Sequence, residues 1–151
     1  AVPALTAIIK KYWDYHDDDG DVTKIEEEDS RLTLLDIPVL EQYIDLVGPG
    51  LIRQSLAMFE QMMPGYLAVL DSNMMARDQK GIAEEGHKIK GAAGAVGLLH
   101  LQQLAKQIQS PELPAWWDNV QEWVDELNQE WRNDVDVLKA WVETVEKNDP
   151  S

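Results

Sequence analysis

His87 is the residue in this sequence best suited to act as a nucleophile. It lies in Gly86-His87-Lys88-Ile89-Lys90-Gly91-Ala92-Ala93-Gly94-Ala95-Val96-Gly97, a segment with two lysines and four glycines that otherwise reads as helix. Glycine costs roughly 1 kcal/mol relative to alanine inside a helix, so four of them need a reason. On a 3.6-residue wheel, Ile82, Gly86, Ile89, Ala93 and Val96 form a stripe at the spacing of a core-facing seam. His87, Lys90, Gly91 and Gly94 fall at i, i+3, i+4 and i+7 on a neighbouring stripe. Bare backbone beside an imidazole lets a partner come close to the ring. Lys90, one turn on, is placed to offset negative charge arriving there.

The plainer reading of each residue stands beside this one. His87 is a surface histidine, Lys90 pairs weakly with Glu84 or Glu85, and the glycines serve close helix packing, which suits Gly86 best because it lies on the core stripe. Glu84-x-x-His87 also matches half of a carboxylate-bridged metal site, but such a site needs two such motifs and two further glutamates. His16 and His100 have no Glu three residues before them, so the sequence argues for no metal.

His87-x-x-Lys90-Gly91-Ala92-Ala93-x-x-x-Gly97 resembles the signature of histidine-containing phosphotransfer (HPt) domains. Leu35-Asp36-Ile37-Pro38-Val39-Leu40-Glu41-Gln42-Tyr43, Met62-Met63-Pro64-Gly65-Tyr66 and Leu101-Gln102-Gln103-Leu104 are similar to the HPt domains of respiratory-control hybrid sensor kinases, over roughly residues 31–147. The resemblance implies that His87 accepts a phosphoryl group from the aspartate of a receiver domain in the same hybrid kinase and passes it to a separate response regulator. Lys90 would balance the charge, and Glu84, Gly91 and Gly94 would meet the partner. The hairpin at Gly97 returns positions near 107 to the level of His87; the resemblance points to Gln109 as the residue holding the far ring nitrogen, and Gln107 is the geometric rival. His100 lacks the Lys-Gly sequel and is a poor second acceptor. The resemblance implies no enzyme activity for the isolated domain and no cofactor of its own, any Mg²⁺ belonging to the receiver. It also implies a cytoplasmic part of an inner-membrane protein. The competing function is a helical protein-interaction module with a silent histidine. Leu99 and Lys106 depart from the family pattern, with consequences for partner preference rather than chemistry.

The 151 residues carry 13 Lys+Arg against 28 Asp+Glu, a formal net charge of −15. That argues against nucleic acid and an anionic membrane surface as partners. There is no cysteine, hence no disulfide or thiolate site.

The elements that position the histidine follow from periodicity. Residues 1–13 form a short amphipathic segment on Leu5, Ile8, Ile9 and Tyr12, similar to the last helix of a receiver domain. Residues 14–31 are an acidic linker; its one resemblance to a calcium loop fails at the first ligand position, which is Tyr15. The HPt domain is expected over 32–148. Asp36 caps a helix through Ile44 that ends at Gly48-Pro49-Gly50, and a second helix starts near Leu51. Pro64 starts or kinks the next segment. The His87 helix spans about Gln79 to Val96, another carries Leu98, Leu101, Leu104, Ala105 and Ile108, and Ser110-Pro111 breaks it. The last is long, with Trp117, Val120, Val124, Leu127, Trp131, Leu138, Val142 and Val145 as its seam, which leaves Trp116, Trp123 and Trp141 partly exposed. Four substantial helices from about Pro64 with short links predict an all-α, antiparallel four-helix bundle with extra N-terminal helices.

Overall fold

A computed structural model describes residues 33–148. They contain five helices and no strand: α1 (Ile37–Val47), α2 (Pro49–Met75), α3 (Gln79–Ala95), α4 (Leu99–Ile108) and α5 (Trp116–Asn148). Helices α2 to α5 close a ring in which α2 packs on α3, α3 on α4, α4 on α5 and α5 back on α2, while α1 lies against α2. This is the expected antiparallel bundle. The reading of residues 1–13 and 14–31 lies outside the described residues.

The seams named from the sequence form its interior. Leu56, Phe59, Met63, Leu67 and Leu70 of α2 meet Ile82, Ile89 and Ala93 of α3, Leu101, Leu104 and Ile108 of α4, and Val120, Val124, Leu127 and Leu138 of α5. Each fully buried Leu or Ile contributes about 1.5–3 kcal/mol, so the bundle rests on this seam and not on its surface ion pairs. Arg53–Glu146 and Lys139–Glu60 tie α2 to α5 from outside, and pairs so exposed are worth about 0–1 kcal/mol.

Local signals set the helix ends. Asp36 accepts a hydrogen bond from the Val39 N–H at 3.4 Å, capping α1, and Asp78 accepts one from the Gly81 N–H at 3.0 Å, capping α3. Gly97 reverses the chain between α3 and α4 with φ +71°, and a Cβ there would strike Leu40 Cγ at 2.6 Å. Only glycine meets both demands at low cost. The Gly97 carbonyl also accepts from the Asp36 N–H at 2.8 Å, which pins the start of α1 to this turn.

One expectation is narrowed and another corrected. Of the two readings of Pro64, a start or a kink, the start is excluded: α2 runs for 27 residues through it. The ring of Pro64 is exposed, so it faces solvent while Met63 and Leu67 hold the inner face, and that packing outweighs one lost backbone bond. The tryptophans are also redistributed. Trp116 and Trp141 are buried, and Trp117 is half-buried. Trp116 lies one turn before Val120 and so begins the seam, and its indole N–H donates to the Gln107 and Ile108 carbonyls at 3.1 and 3.2 Å, closing the end of α4. Trp117 lies one step off the seam, where its ring carries the Arg77 guanidinium at 4.3 Å. Trp131 is buried as expected, edge-on to Phe59.

Candidate functional site

His87 projects from the middle of α3 and is exposed. Ile82, Ile89 and Ala93, at 0% exposure, bury the opposite side of the helix, so the core fixes the direction in which the ring stands. Across from it, α4 ends at Ile108, and Gln109 is its C-cap residue. The Gln109 Oε1 lies 3.0 Å from His87 Nδ1. An amide oxygen can only accept, so Nδ1 carries the proton and donates. The lone pair is then on Nε2, at the solvent side of the ring. Of the two glutamines the sequence left open, Gln109 makes this bond with its side chain, while Gln107 receives the Trp116 indole on its backbone carbonyl.

The glycines have three different surroundings. A Cβ on Gly86 would meet the Gln109 backbone nitrogen at 2.9 Å and the Ala105 carbonyl at 3.2 Å, so this residue lets α3 and α4 close to the distance at which Gln109 reaches His87. A Cβ on Gly91 would meet nothing within 4 Å, so this position is open to a visitor. Gly94 faces inward to its neighbour, since a Cβ there would meet the Gln102 amide at 2.8 Å; its clearance serves the α3–α4 contact. Gly91→Ala is therefore expected to raise stability by up to about 1 kcal/mol through helix propensity, read by thermal unfolding, whereas a bulky Gly91→Trp should fold and hinder any protein that docks over His87.

Glu84 is exposed and lines a groove with Lys80, His87, Lys88 and Gln109. Lys90 is half-buried and borders neither that groove nor the one on the α2 side of His87. The weak pairing of Lys90 with Glu85 is replaced by a bond from Lys88, whose ammonium donates to Glu85 at 2.8 Å. Among the described residues, no group of three or more His, Cys, Asp or Glu is arranged to hold a metal ion.

Sequence reasoning missed a second cluster. His100, at the start of α4, has Nδ1 2.6 Å from Asp134 Oδ2 and Nε2 3.2 Å from Glu126 Oε2, both on α5. Asp134 is fully buried, and its Oδ1 has no hydrogen-bond partner. Burial lowers the imidazole's affinity for its proton, but Asp134 and then Glu126 outweigh it, so His100 titrates above the ordinary range. Burial pushes the Asp134 carboxyl up, and the imidazole offsets part of that. A signal existed: Asp134 falls one heptad after Leu127 and four residues before Leu138, an acid on a seam position.

Because His87 and Gln109 are both surface groups, Gln109→Ala should leave stability within about 0.5 kcal/mol. It should shift the imidazole toward the other tautomer, read as a change in the ¹⁵N shifts of both His87 ring nitrogens. Unchanged shifts would mean that the Gln109 bond does not set the tautomer.

Known proteins resemble this chain in sequence and fold. The Hpt domain family model matches residues 54–141. The chain is 64% identical over 147 residues to the aerobic respiration control sensor protein ArcB of Escherichia coli K12, and equally to that of Shigella flexneri. The alignment takes in 97% of this chain and 19% of those proteins, so the chain spans about a fifth of the length of the curated relatives it matches. Solved structures of relatives agree with the fold. The histidine-containing phosphotransfer domain of ArcB from E. coli superposes with a TM-score of 0.76 at 67% identity, over 77% of this chain and 98% of that one. A solution structure of the same domain gives 0.73 at 68%, over 79% and 96%. With a bundle of this topology, an exposed imidazole on its third helix and a family model spanning more than half its length, the chain belongs to the Hpt domain family, the phosphotransfer modules of two-component signalling.

Proposed function

We propose that His87 is the phosphoacceptor of this module. The observation that carries the reading is the 3.0 Å bond between Nδ1 and Gln109, on a ring otherwise open to solvent. It leaves Nε2 as the nucleophile. The Nε2 lone pair attacks phosphorus of an aspartyl phosphate on a receiver domain; the N–P bond forms as the P–O bond breaks, and the carboxylate leaves with the electron pair. Nδ1 keeps its proton, and the positive charge that develops on the ring strengthens its bond to the Gln109 oxygen. Lys90 offsets the phosphoryl charge from one turn away, Gly91 admits the receiver, and Glu84 borders the approach. Transfer onward to a response regulator reverses the same step.

In this reading residues 32–148 are the HPt domain, 1–13 the end of a preceding receiver domain and 14–31 the linker between them. The full protein is a hybrid sensor histidine kinase of the ArcB type, passing its phosphoryl group to an ArcA-like regulator, with this domain on the cytoplasmic side of the inner membrane. The likeness to ArcB supports this. Among the described residues, no helix is long and apolar enough to cross a membrane. The domain acts as a relay and not as an autonomous enzyme; it draws on no ATP and on no cofactor of its own, and the Mg²⁺ of the reaction is the receiver's.

Incubation with a phosphorylated receiver tests the proposal. The domain should acquire label that is lost in acid and kept in alkali, as a phosphoramidate requires, and the label should reside on the peptide containing His87. Label with the opposite stability, or none, would overturn it.

A further inference from the structure

Two grooves flank His87. One, of about 510 Å³, lies between α2 and α3 and is lined by Met58, Met62, Tyr66 and Gly91. The other, of about 570 Å³, lies on the α4 side and is lined by Lys80, Glu84 and Gln109. Lys88 borders both, as does His87 itself. Lys88 therefore stands on the ridge that anything covering the ring must straddle.

Its ammonium is held in place. Glu85 accepts from it at 2.8 Å, and the Glu85 side chain is only 7% exposed, against 56% for Lys88. A Glu–Lys pair of this spacing on a helix surface adds little to stability, and burying the acid adds a desolvation cost. The arrangement has a different consequence. Lysine is a point charge on a flexible four-carbon stem; a carboxylate locked into the α3 surface confines that charge to one place beside His87. Glu85, and more weakly Glu84 and Tyr66, hold the ammonium charged well into alkaline pH.

We propose that Lys88, tethered by Glu85, is a docking and specificity residue: it engages the carboxylate-rich phosphoacceptor face of the incoming receiver, separately from Lys90. Glu85 is a positioning residue that acts through Lys88. The inference rests on His87 being the phosphoacceptor. The fold keeps Lys88 on Glu85 while the surface is bare, and the receiver's carboxylates compete for the same ammonium on arrival.

The test is transfer from a phosphorylated receiver, followed by rapid quench over a range of receiver concentrations and salt. Lys88→Ala is expected to raise the half-saturating concentration about fivefold at low ionic strength while leaving the saturating rate within about twofold, the pattern of a lost rim charge. The deficit should vanish near 1 M salt, where exposed charges are screened within about 3 Å. Lys88→Arg should restore most of the affinity, and Glu85→Gln should weaken docking in the same direction but less. A Lys88→Ala protein that docks like the parent at low salt, or one whose saturating rate falls with half-saturation unchanged, would overturn the assignment. His87→Gln in the same series isolates the underlying reading: label there removes the phosphoacceptor assignment whatever Lys88 does.

Discussion

His87→Gln is expected to take up no phosphoryl label under conditions in which the parent domain is fully labelled, a fall of at least about 10³-fold, as when a nucleophile is removed. The reason is local. Glutamine keeps much of the volume and polarity of histidine but has no nitrogen lone pair to offer phosphorus. The side chain is exposed, so the fold should be unaffected to within about 0.5 kcal/mol, and loss of label will report chemistry. His100 cannot stand in for it. Both of its ring nitrogens already face carboxylates, at 2.6 and 3.2 Å, and those acids repel an incoming phosphoryl group. Persistent label on the variant would therefore defeat the assignment, and its location would identify the true acceptor.

His100→Leu should be the more damaging change to the fold. It strands Asp134, whose side chain is fully buried with Oδ1 already unpartnered. Removing one member of a buried ion pair costs about 3–5 kcal/mol. His100 still shows 24% of its side chain to solvent, so about 2–3 kcal/mol is expected after allowing for that screening, which is a fall of roughly 8–15 °C in Tm for a domain of this size. The pH dependence has a definite sign. Folding raises the pKa of His100 because Asp134 and Glu126 hold its charge. The stabilisation is complete below the unfolded value, about 6.5, and is lost as pH rises through the higher folded value. The gap in Tm between parent and His100→Leu should narrow from pH 6 upward through that interval, as followed by circular dichroism. Replacing both residues, His100→Leu with Asp134→Leu, should recover much of the loss, since no buried charge is left alone. A single variant as stable as the parent at pH 6 would show that the pair carries no net weight.

These two histidines mark how far periodicity reaches. The apolar stripes named every helix of the bundle, because burying one face contributes most of the stability of packed helices and leaves a 3.6-residue trace in the chain. The same wheel placed His87 beside, and not on, the core stripe. It left open whether Pro64 starts a segment or kinks one; the helix runs on, because Leu56, Phe59, Met63 and Leu67 hold it across a solvent-facing proline. It assigned the tryptophans by counting from Trp117, where the bundle counts from Trp116. It passed over Asp134 altogether, because an acid on a seam position looks like a break in the seam until its partner on another helix is known.

What the sequence alone determined was the fold class, the helix that carries the phosphoacceptor candidate and the face on which it stands; these follow from the order of residues along one helix. What only the tertiary structure decided were the pairings between helices. Gln109 over Gln107, Gly91 as open space where Gly86 and Gly94 are filled by α4, Glu85 given to Lys88, and His100 set between two acids of α5 all depend on the register of one helix against the next. That register is fixed by interlocking side chains from several elements at once, and no single stretch of the chain contains it.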